Sequence, residues 1–153
     1  MLNRRAVLAA ALGGTASALF AVSVQAAAGG VRVDVSHLVQ QGWGPNAALV
    51  KAELERELAG SGRAGSTLVV SVLRINMPSY SGGDAEETGG TVDGMESEAR
   101  LIAADGRVIA SYPIVSSSSA SSGGAWFEPG FDKRRLAALV RTNAAWIRRY
   151  VGE

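Results

Sequence analysis

Three arginines recur at seven-residue intervals near the end of the chain. Arg134, Arg141 and Arg148 are accompanied by Arg149, and a seven-residue interval returns side chains to the same side of a helix. A guanidinium group binds a carboxylate or a phosphate through two parallel hydrogen bonds, so the row predicts a site for an anionic partner. The alternative interpretation is a solvated helix face whose charges bind nothing.

Two adjacent aromatic residues form a second candidate site for a partner. Trp126 and Phe127 lie in the glycine-rich stretch 123–130. If the two rings are exposed, they offer an apolar contact to another protein. Alternatively they pack over the sheet edge and direct the chain into the last helix, where Phe131 and Leu136 are spaced to form a hydrophobic staple.

The chain offers little from which a catalytic site can be built. His37 is the sole histidine, there is no cysteine, and no Gly-x-Ser-x-Gly elbow marks a nucleophilic serine. Asp34 is close in sequence, but strand alternation predicts that it and His37 point to opposite faces. We therefore predict no catalytic residue and no bound cofactor. A small hydrolase or metal-dependent enzyme of an unrecognised type is the alternative.

Residues 84–98 concentrate acidic side chains and contain no basic residue. Asp84, Glu86, Glu87 and Asp93 could supply oxygen ligands to a cation. The regular Asp-x-Asp-x-Asp-Gly spacing and the closing glutamate of a calcium loop are missing. The stretch therefore predicts a solvated loop and no metal site.

The first half of the chain predicts a strand, a helix and a second strand. Valines alternate with polar residues over 31–36, which is typical of a half-buried strand. Pro45 suits the first turn of a helix over Asn46–Ala59 because its φ is already helical. Residues Thr67–Met77 begin as a run that is apolar on both faces, which predicts a central strand.

The second half predicts a hairpin. A third strand over Met95–Ala103 is followed by Asp105-Gly106, a pair that favours a two-residue type I′ turn. The fourth strand extends to about Val115, and Pro113 predicts an edge position for it. Residues 116–124 predict a loose strand end or a loop.

A closing helix is predicted over Lys133–Val151, with Asp132 as its N-cap. Its broad apolar face comprises Leu136, Leu139, Val140, Asn143, Trp146, Ile147, Tyr150 and Val151. The order β-α-β-β-β-α predicts an α+β fold. We expect a two-layer sandwich in which a four-stranded mixed sheet carries two helices on one face and is polar on the other.

Residues 1–28 have the composition of an export signal. Arg4 and Arg5 precede a weakly apolar run, and three alanines at 26–28 close the segment before any acidic residue occurs. The paired arginines resemble a twin-arginine signal. We predict a cleaved signal peptide over 1–28, a single α/β domain over 29–153, a periplasmic location and no membrane anchor after cleavage. An uncleaved anchor is the alternative.

Composition excludes some partners. The chain has 15 basic and 14 acidic residues, and two of the basic ones lie in the signal, so the remainder is close to neutral. Nucleic-acid binding usually depends on a clear basic surplus and is not expected. Without cysteine, the domain must be held by its core alone, with neither disulfides nor thiolate metal sites.

The order of elements over 31–151, with a hairpin at Asp105-Gly106 and a closing amphipathic helix, resembles the lipopolysaccharide-assembly lipoprotein of the outer-membrane translocon. It is also similar to small periplasmic auxiliary lipoproteins of envelope transport systems. The resemblance concerns architecture, so it transfers no functional residue. It implies a non-catalytic accessory or binding module in envelope assembly or transport, with a protein or an anionic envelope component as its partner. This chain departs from those lipoproteins because it has no cysteine to carry a lipid.

Overall fold

The computed structural model describes residues 29–78 and 92–152. Within them the chain forms four strands, β1 (Val31–Asp34), β2 (Ser66–Asn76), β3 (Val92–Ala103) and β4 (Val108–Ser119). The predicted signal segment and the acidic residues before 92 lie outside the described residues.

The strands form one mixed sheet in the order β1-β2-β3-β4. β1 runs parallel to β2, whereas β2, β3 and β4 are successively antiparallel. β2 is therefore an inner strand, as its apolar run predicted, and β4 is an edge strand, as Pro113 predicted. The α+β class and the four-stranded mixed sheet are confirmed.

The described helices are α1 (Ser36–Gln40), α2 (Pro45–Glu57) and α3 (Phe131–Gly152), and a single 3-10 turn over Ala120–Gly123 precedes α3. Pro45 begins α2 directly after Gly44, which has a positive φ of 48°. This agrees with the prediction that the fixed φ of proline starts the helix.

Helix α1 corrects the predicted order, which had only two helices. The sequence predicts a strand that continues to Ser36, but the chain turns after Asp34. The Ser36 N–H donates to Asp34 Oδ1 at 2.9 Å, and this local bond offers the backbone an alternative to the sheet. The bonds from Ser36 lower the pKa of the Asp34 carboxyl below its usual value. As a result, His37 lies exposed on a helix and not on a strand.

One apolar layer joins the helices to the sheet. β2 contributes Leu68, Val70 and Val72, α2 contributes Leu54, and α3 contributes Ile147, all of them fully buried. Burying an aliphatic side chain of this size contributes roughly 1.5–3 kcal/mol. This layer holds the fold together, since no disulfide is possible.

The opposite face of the sheet is polar, as the alternation predicted. Arg74 on β2 donates to Glu96 on β3 at 2.6 Å, and Ser111 on β4 donates to Glu98 on β3 at 2.7 Å. Cross-strand pairs of this kind stabilise a sheet by up to about 1 kcal/mol each.

The hairpin between β3 and β4 forms where it was predicted, but with a different turn. The Ala103 N–H donates to Arg107 O at 2.9 Å, so three residues separate the closing pair. Gly106 has a φ of 85°, whereas Asp105 has no positive φ. A type I′ turn requires positive φ at both central residues. That prediction is wrong because the register leaves room for a three-residue loop ending in a left-handed glycine.

β3 and β4 extend further than predicted at the end opposite the hairpin. β3 begins at Val92, so Asp93 belongs to a strand and not to the predicted acidic loop. Residues Ser116–Ser119, predicted as a loose end, pair with the first residues of β3. The serine-rich composition concealed a regular strand.

Buried hydrogen bonds explain this extension. The side-chain amide of Asn143 on α3 accepts from Ser97 Oγ at 3.0 Å and donates to Ser116 Oγ at 3.0 Å. All three side chains are buried, and buried polar groups are stable only when they are bonded. Ser97 and Ser116 are therefore hydrogen-bond partners of Asn143 on α3.

Helix α3 begins at Phe131, two residues earlier than predicted, so Asp132 lies in its first turn and does not precede it. Trp146 and Tyr150, both predicted on the buried face, are 39% and 41% exposed. The buried stripe is narrower than predicted and centres on residues such as Ala144 and Ile147. The two rings stack on each other at 6.2 Å on the flank of this stripe.

Candidate functional site

A groove with a volume of about 590 Å³ lies where β2 ends and α3 begins. Its apolar lining consists of Trp43, Met77, Pro78, Trp126, Phe131 and Leu136, and its polar lining consists of Asn46, Asp132, Lys133 and Arg135. The aromatic walls and the few polar groups are typical of a ligand-binding site. We call it the aromatic groove.

Two tight turns hold Trp43 at one side of the groove. Its backbone N–H donates to Leu38 O at 3.0 Å, and its carbonyl accepts from the Asn46 N–H at 3.0 Å. The first bond closes the end of α1 and the second opens α2. Trp43 is thus fixed by the backbone between two helices.

Arg134 holds the loop that carries Trp126 at the other side. Its guanidinium donates to Gly123 O at 2.6 Å, to Pro129 O at 2.8 Å and to Glu128 Oε2 at 3.1 Å. Charge-assisted hydrogen bonds are stronger than neutral ones. One side chain of α3 therefore fixes both ends of the loop.

The start of this loop also requires a glycine. A Cβ atom on Gly123 would lie 2.7 Å from Arg135 Cγ and 2.7 Å from the Phe131 carbonyl oxygen. Such contacts are much shorter than van der Waals separation, so only glycine allows the loop to approach α3 this closely.

A buried ion pair lies beneath the aromatic groove. Arg135 Nε donates to Asp93 Oδ2 at 3.0 Å and Nη2 donates to Oδ1 at 2.5 Å. The side chains are only 2% and 0% exposed. The guanidinium also donates to Pro78 O at 3.0 Å and to Asp132 Oδ1 at 3.3 Å. The pair thereby joins β3, the end of β2 and the first turn of α3.

The sequence prediction missed this pair. Asp93 was grouped with its acidic neighbours, and Arg135 was overshadowed by the seven-residue arginine row. Two signals were present: Asp93 alternates in phase with Met95, and Arg135 precedes Leu139 by four residues on the apolar stripe. Both charged residues thus occupied core positions of regular elements.

The structure separates the members of the predicted arginine row. Arg134 fixes the aromatic loop, and Arg148 Nη1 donates to Glu57 O at 2.6 Å and lies 3.6 Å from Glu57 Oε2. Arg141 is exposed, and the Arg149 guanidinium lies 5.4 Å from the centre of the Trp146 ring. The guanidinium groups of Arg134 and Arg148 are therefore committed to intramolecular bonds. Anion binding by the row remains a prediction.

Trp126 and Phe127 are exposed side chains. Their exposed fractions are 59% and 73%, and the two rings meet edge to face at 5.9 Å. The exposure of both rings contradicts the alternative in which they pack over the sheet edge, and contact with a partner remains a prediction. Only Trp126 lines the aromatic groove.

Within 29–78 and 92–152, no three His, Asp or Glu side chains are grouped closely enough to hold a metal ion. No helix in this part of the chain is long and apolar enough to cross a membrane.

Neither a family model nor a curated protein matches the chain. A hypothetical protein of Chlamydia trachomatis has a similar structure, with 13% identity and a TM-score of 0.47, over 82% of this chain and 98% of that one. A minor lipoprotein of Acinetobacter baumannii gives 11% identity and a TM-score of 0.44, over 80% and 91%. Lipoprotein GNA1162 of Neisseria meningitidis has 18% identity and a TM-score of 0.29, and the match covers 76% of this chain and 69% of that one. Two of these three bacterial proteins are named lipoproteins.

Proposed function

We propose that the chain is a non-catalytic, exported binding module of the bacterial envelope and that the aromatic groove is its binding site. The observation that carries the proposal is the exposed Trp126, held over the groove by the bonds of Arg134. Trp126 and Phe127 are exposed side by side, and contiguous exposed apolar surface is typical of an interaction site.

The chemistry of the groove favours binding over catalysis. Its most strongly polar group, the Arg135 guanidinium, is already bonded to Asp93, Asp132 and Pro78. Its hydrogen bonds are structural, so the rings of Trp43 and Trp126 supply apolar contact area beside a polar rim. Large rigid aromatic side chains supply much of the binding energy at protein interfaces.

The polar rim indicates what the ligand has to match. Asp132 and Lys133 carry opposite charges at adjacent positions of the first turn of α3. A ligand with an apolar centre and polar flanks satisfies both the rings and the rim. We propose a segment of a partner protein that inserts an apolar side chain between Trp43 and Trp126.

Export is supported by the sequence of residues 1–28, where a basic start is followed by an apolar run and a small-residue exit. We propose that the module acts in the periplasm. Its role in envelope assembly or transport is that of an accessory, in line with the architectural resemblance described above.

Site-specific cross-linking tests this function. A photoreactive amino acid at Phe127 should form an adduct with a partner in living cells, and the adduct should be lost when Trp126→Ala is added. The matched control places the same photoreactive residue at Arg56, an exposed position near the end of α2. Equal labelling from Arg56, or labelling from Phe127 that is unchanged by Trp126→Ala, contradicts the groove as the site.

A further inference from the structure

The second half of β4 has a weakly protected edge. β4 is the last strand of the described sheet and spans Val108–Ser119 without one charged residue. Edge strands are normally shortened, bulged, covered or charged, since their free N–H and C=O groups recruit other strands. β4 is bulged at Ile109 near the hairpin and has Pro113 at its middle, but the part from Ile114 to Ser119 has neither feature, and Val115 is 78% exposed.

The position of Pro113 shows which backbone groups face the free edge. It pairs with Glu98 of β3, and a proline leaves a ladder intact only if its nitrogen points away from the neighbouring strand. Backbone groups of alternate residues on a strand point to the same side. The N–H groups of Val115 and Ser117 therefore point outward beside Pro113.

A side-chain recess borders this edge. Trp146 and Tyr150 of α3 stand next to residues Pro113–Val115 and enclose about 100 Å³. The rings continue as a stack, because Tyr150 lies 5.9 Å from Tyr112. An added strand would place alternate side chains on the α3 side of the sheet, directly against these rings.

From these features we infer that β4 and the flank of α3 form a strand-addition site for an extended peptide segment of a partner protein. Apolar residues at alternate positions fill the recess between Ile114 and Trp146. Main-chain bonds supply affinity and the recess supplies selectivity, as in other cases of β-augmentation.

A second copy of this chain fits the edge less well. Antiparallel pairing of two copies through the outward groups is centred on Val115 or on Ser116, because a centre at Ile114 would place Pro113, which has no N–H, in both central pairs. These two registers set Ile114 opposite Ser116 or Ser118 of the second copy. A serine hydroxyl would then be buried against Trp146 and Tyr150, where an apolar side chain is favoured.

The test uses the full chain and a fluorescent peptide of alternating valine and threonine. Binding should slow amide exchange at Val115 and Ser117. N-methylation of one alternating set of peptide residues should abolish binding, and N-methylation of the other set should preserve it. Absence of binding, or binding that survives either methylation, overturns the inference.

Variants locate the site. Val115→Pro removes an outward N–H and should weaken binding by at least about tenfold, while Val115→Thr keeps that N–H and should bind like the wild type. Trp146→Ala should weaken binding about fivefold because it opens the recess. If Val115→Pro proves unstable in a thermal melt, Trp146→Ala tests the site in its place. Unchanged peptide binding in Trp146→Ala overturns the inference. A wild-type dimer that dissociates in Val115→Pro also overturns it, because the edge would then pair with a second copy of this chain.

Discussion

At the scale of the residue, the buried pair of Arg135 and Asp93 dominates the site. The guanidinium reaches groups from β2, β3 and α3, so it determines where the first turn of α3 lies. Two buried charges gain little over an apolar pair of the same volume, but one left alone is very unfavourable. The pair therefore specifies an arrangement more than it adds stability.

This predicts an asymmetric mutational cycle. Asp93→Ala should lower the free energy of unfolding by about 3–5 kcal/mol because it leaves a buried, unpaired guanidinium. The double variant Asp93→Leu with Arg135→Met should recover most of that loss, since no charge remains buried. Urea denaturation of the three proteins measures the cycle. A double variant as unstable as Asp93→Ala would mean that the pair itself is strongly stabilising.

Asp34 makes a second prediction at this scale. Its pKa is lowered in the folded state, chiefly by the Ser36 backbone hydrogen bond. A carboxyl whose pKa is lower when folded stabilises the protein above its unfolded pKa, and this contribution is lost as the pH falls through the folded value. The wild type should lose stability below about pH 4 more steeply than Asp34→Asn, which keeps an acceptor but cannot titrate. Urea midpoints measured between about pH 5 and pH 2 compare the two proteins, and parallel curves would contradict the assignment.

At the scale of the element, helix α3 shows how far periodicity can predict a structure. The stripe of Leu136, Leu139, Val140 and Ile147 followed from helical spacing and is buried. Trp146 was assigned to the same face because a tryptophan at a boundary position looks apolar in sequence. Its exposure depends on how far β4 extends beneath the helix, which is a tertiary property that spacing does not contain.

The position of Trp146 changes the expected effect of its removal. Because Trp146 is 39% exposed and Ile147 is fully buried, Ile147→Ala should destabilise the domain by about 2–5 kcal/mol. Trp146→Ala should cost no more than about 1 kcal/mol, mainly from the lost stack with Tyr150. Thermal or urea unfolding of the two variants measures the difference. A larger loss of unfolding free energy for Trp146→Ala than for Ile147→Ala would mean that the Trp146 ring belongs to the core.

The candidate site was less predictable than the fold for a similar reason. Trp126 and Phe127 were identified from their residue types, but Trp43, Met77 and Phe131 reach the same groove from three distant parts of the chain. Local patterns position residues within an element, whereas the groove results from the packing of α2, α3 and β2 against each other. From the sequence alone, some residues of such a site can be identified, but not the place in the fold where they come together.

At the scale of the whole molecule, the two proposed surfaces lie in different places and bind different features of a partner. The aromatic groove opens where α2 and α3 begin, and the strand-addition site follows the β4 edge beside the second half of α3. One domain could therefore engage an inserted side chain and an extended segment at once. If a single partner supplies both, linkage raises the overall affinity beyond that of either contact.

The last prediction concerns the proposed export of this domain. Arg4 and Arg5 resemble the paired arginines of a signal that is read as an address by an export machine. Conservative replacement of both by lysine keeps the charge but removes the planar guanidinium groups, so export should stop if that machine reads them. Replacement of Arg32, an exposed residue of β1, by lysine is the matched control and should leave export unchanged. Periplasmic yield of the three proteins is the measurement. Normal yield of the Arg4→Lys, Arg5→Lys protein would assign the chain to a route that needs only a basic start and an apolar run.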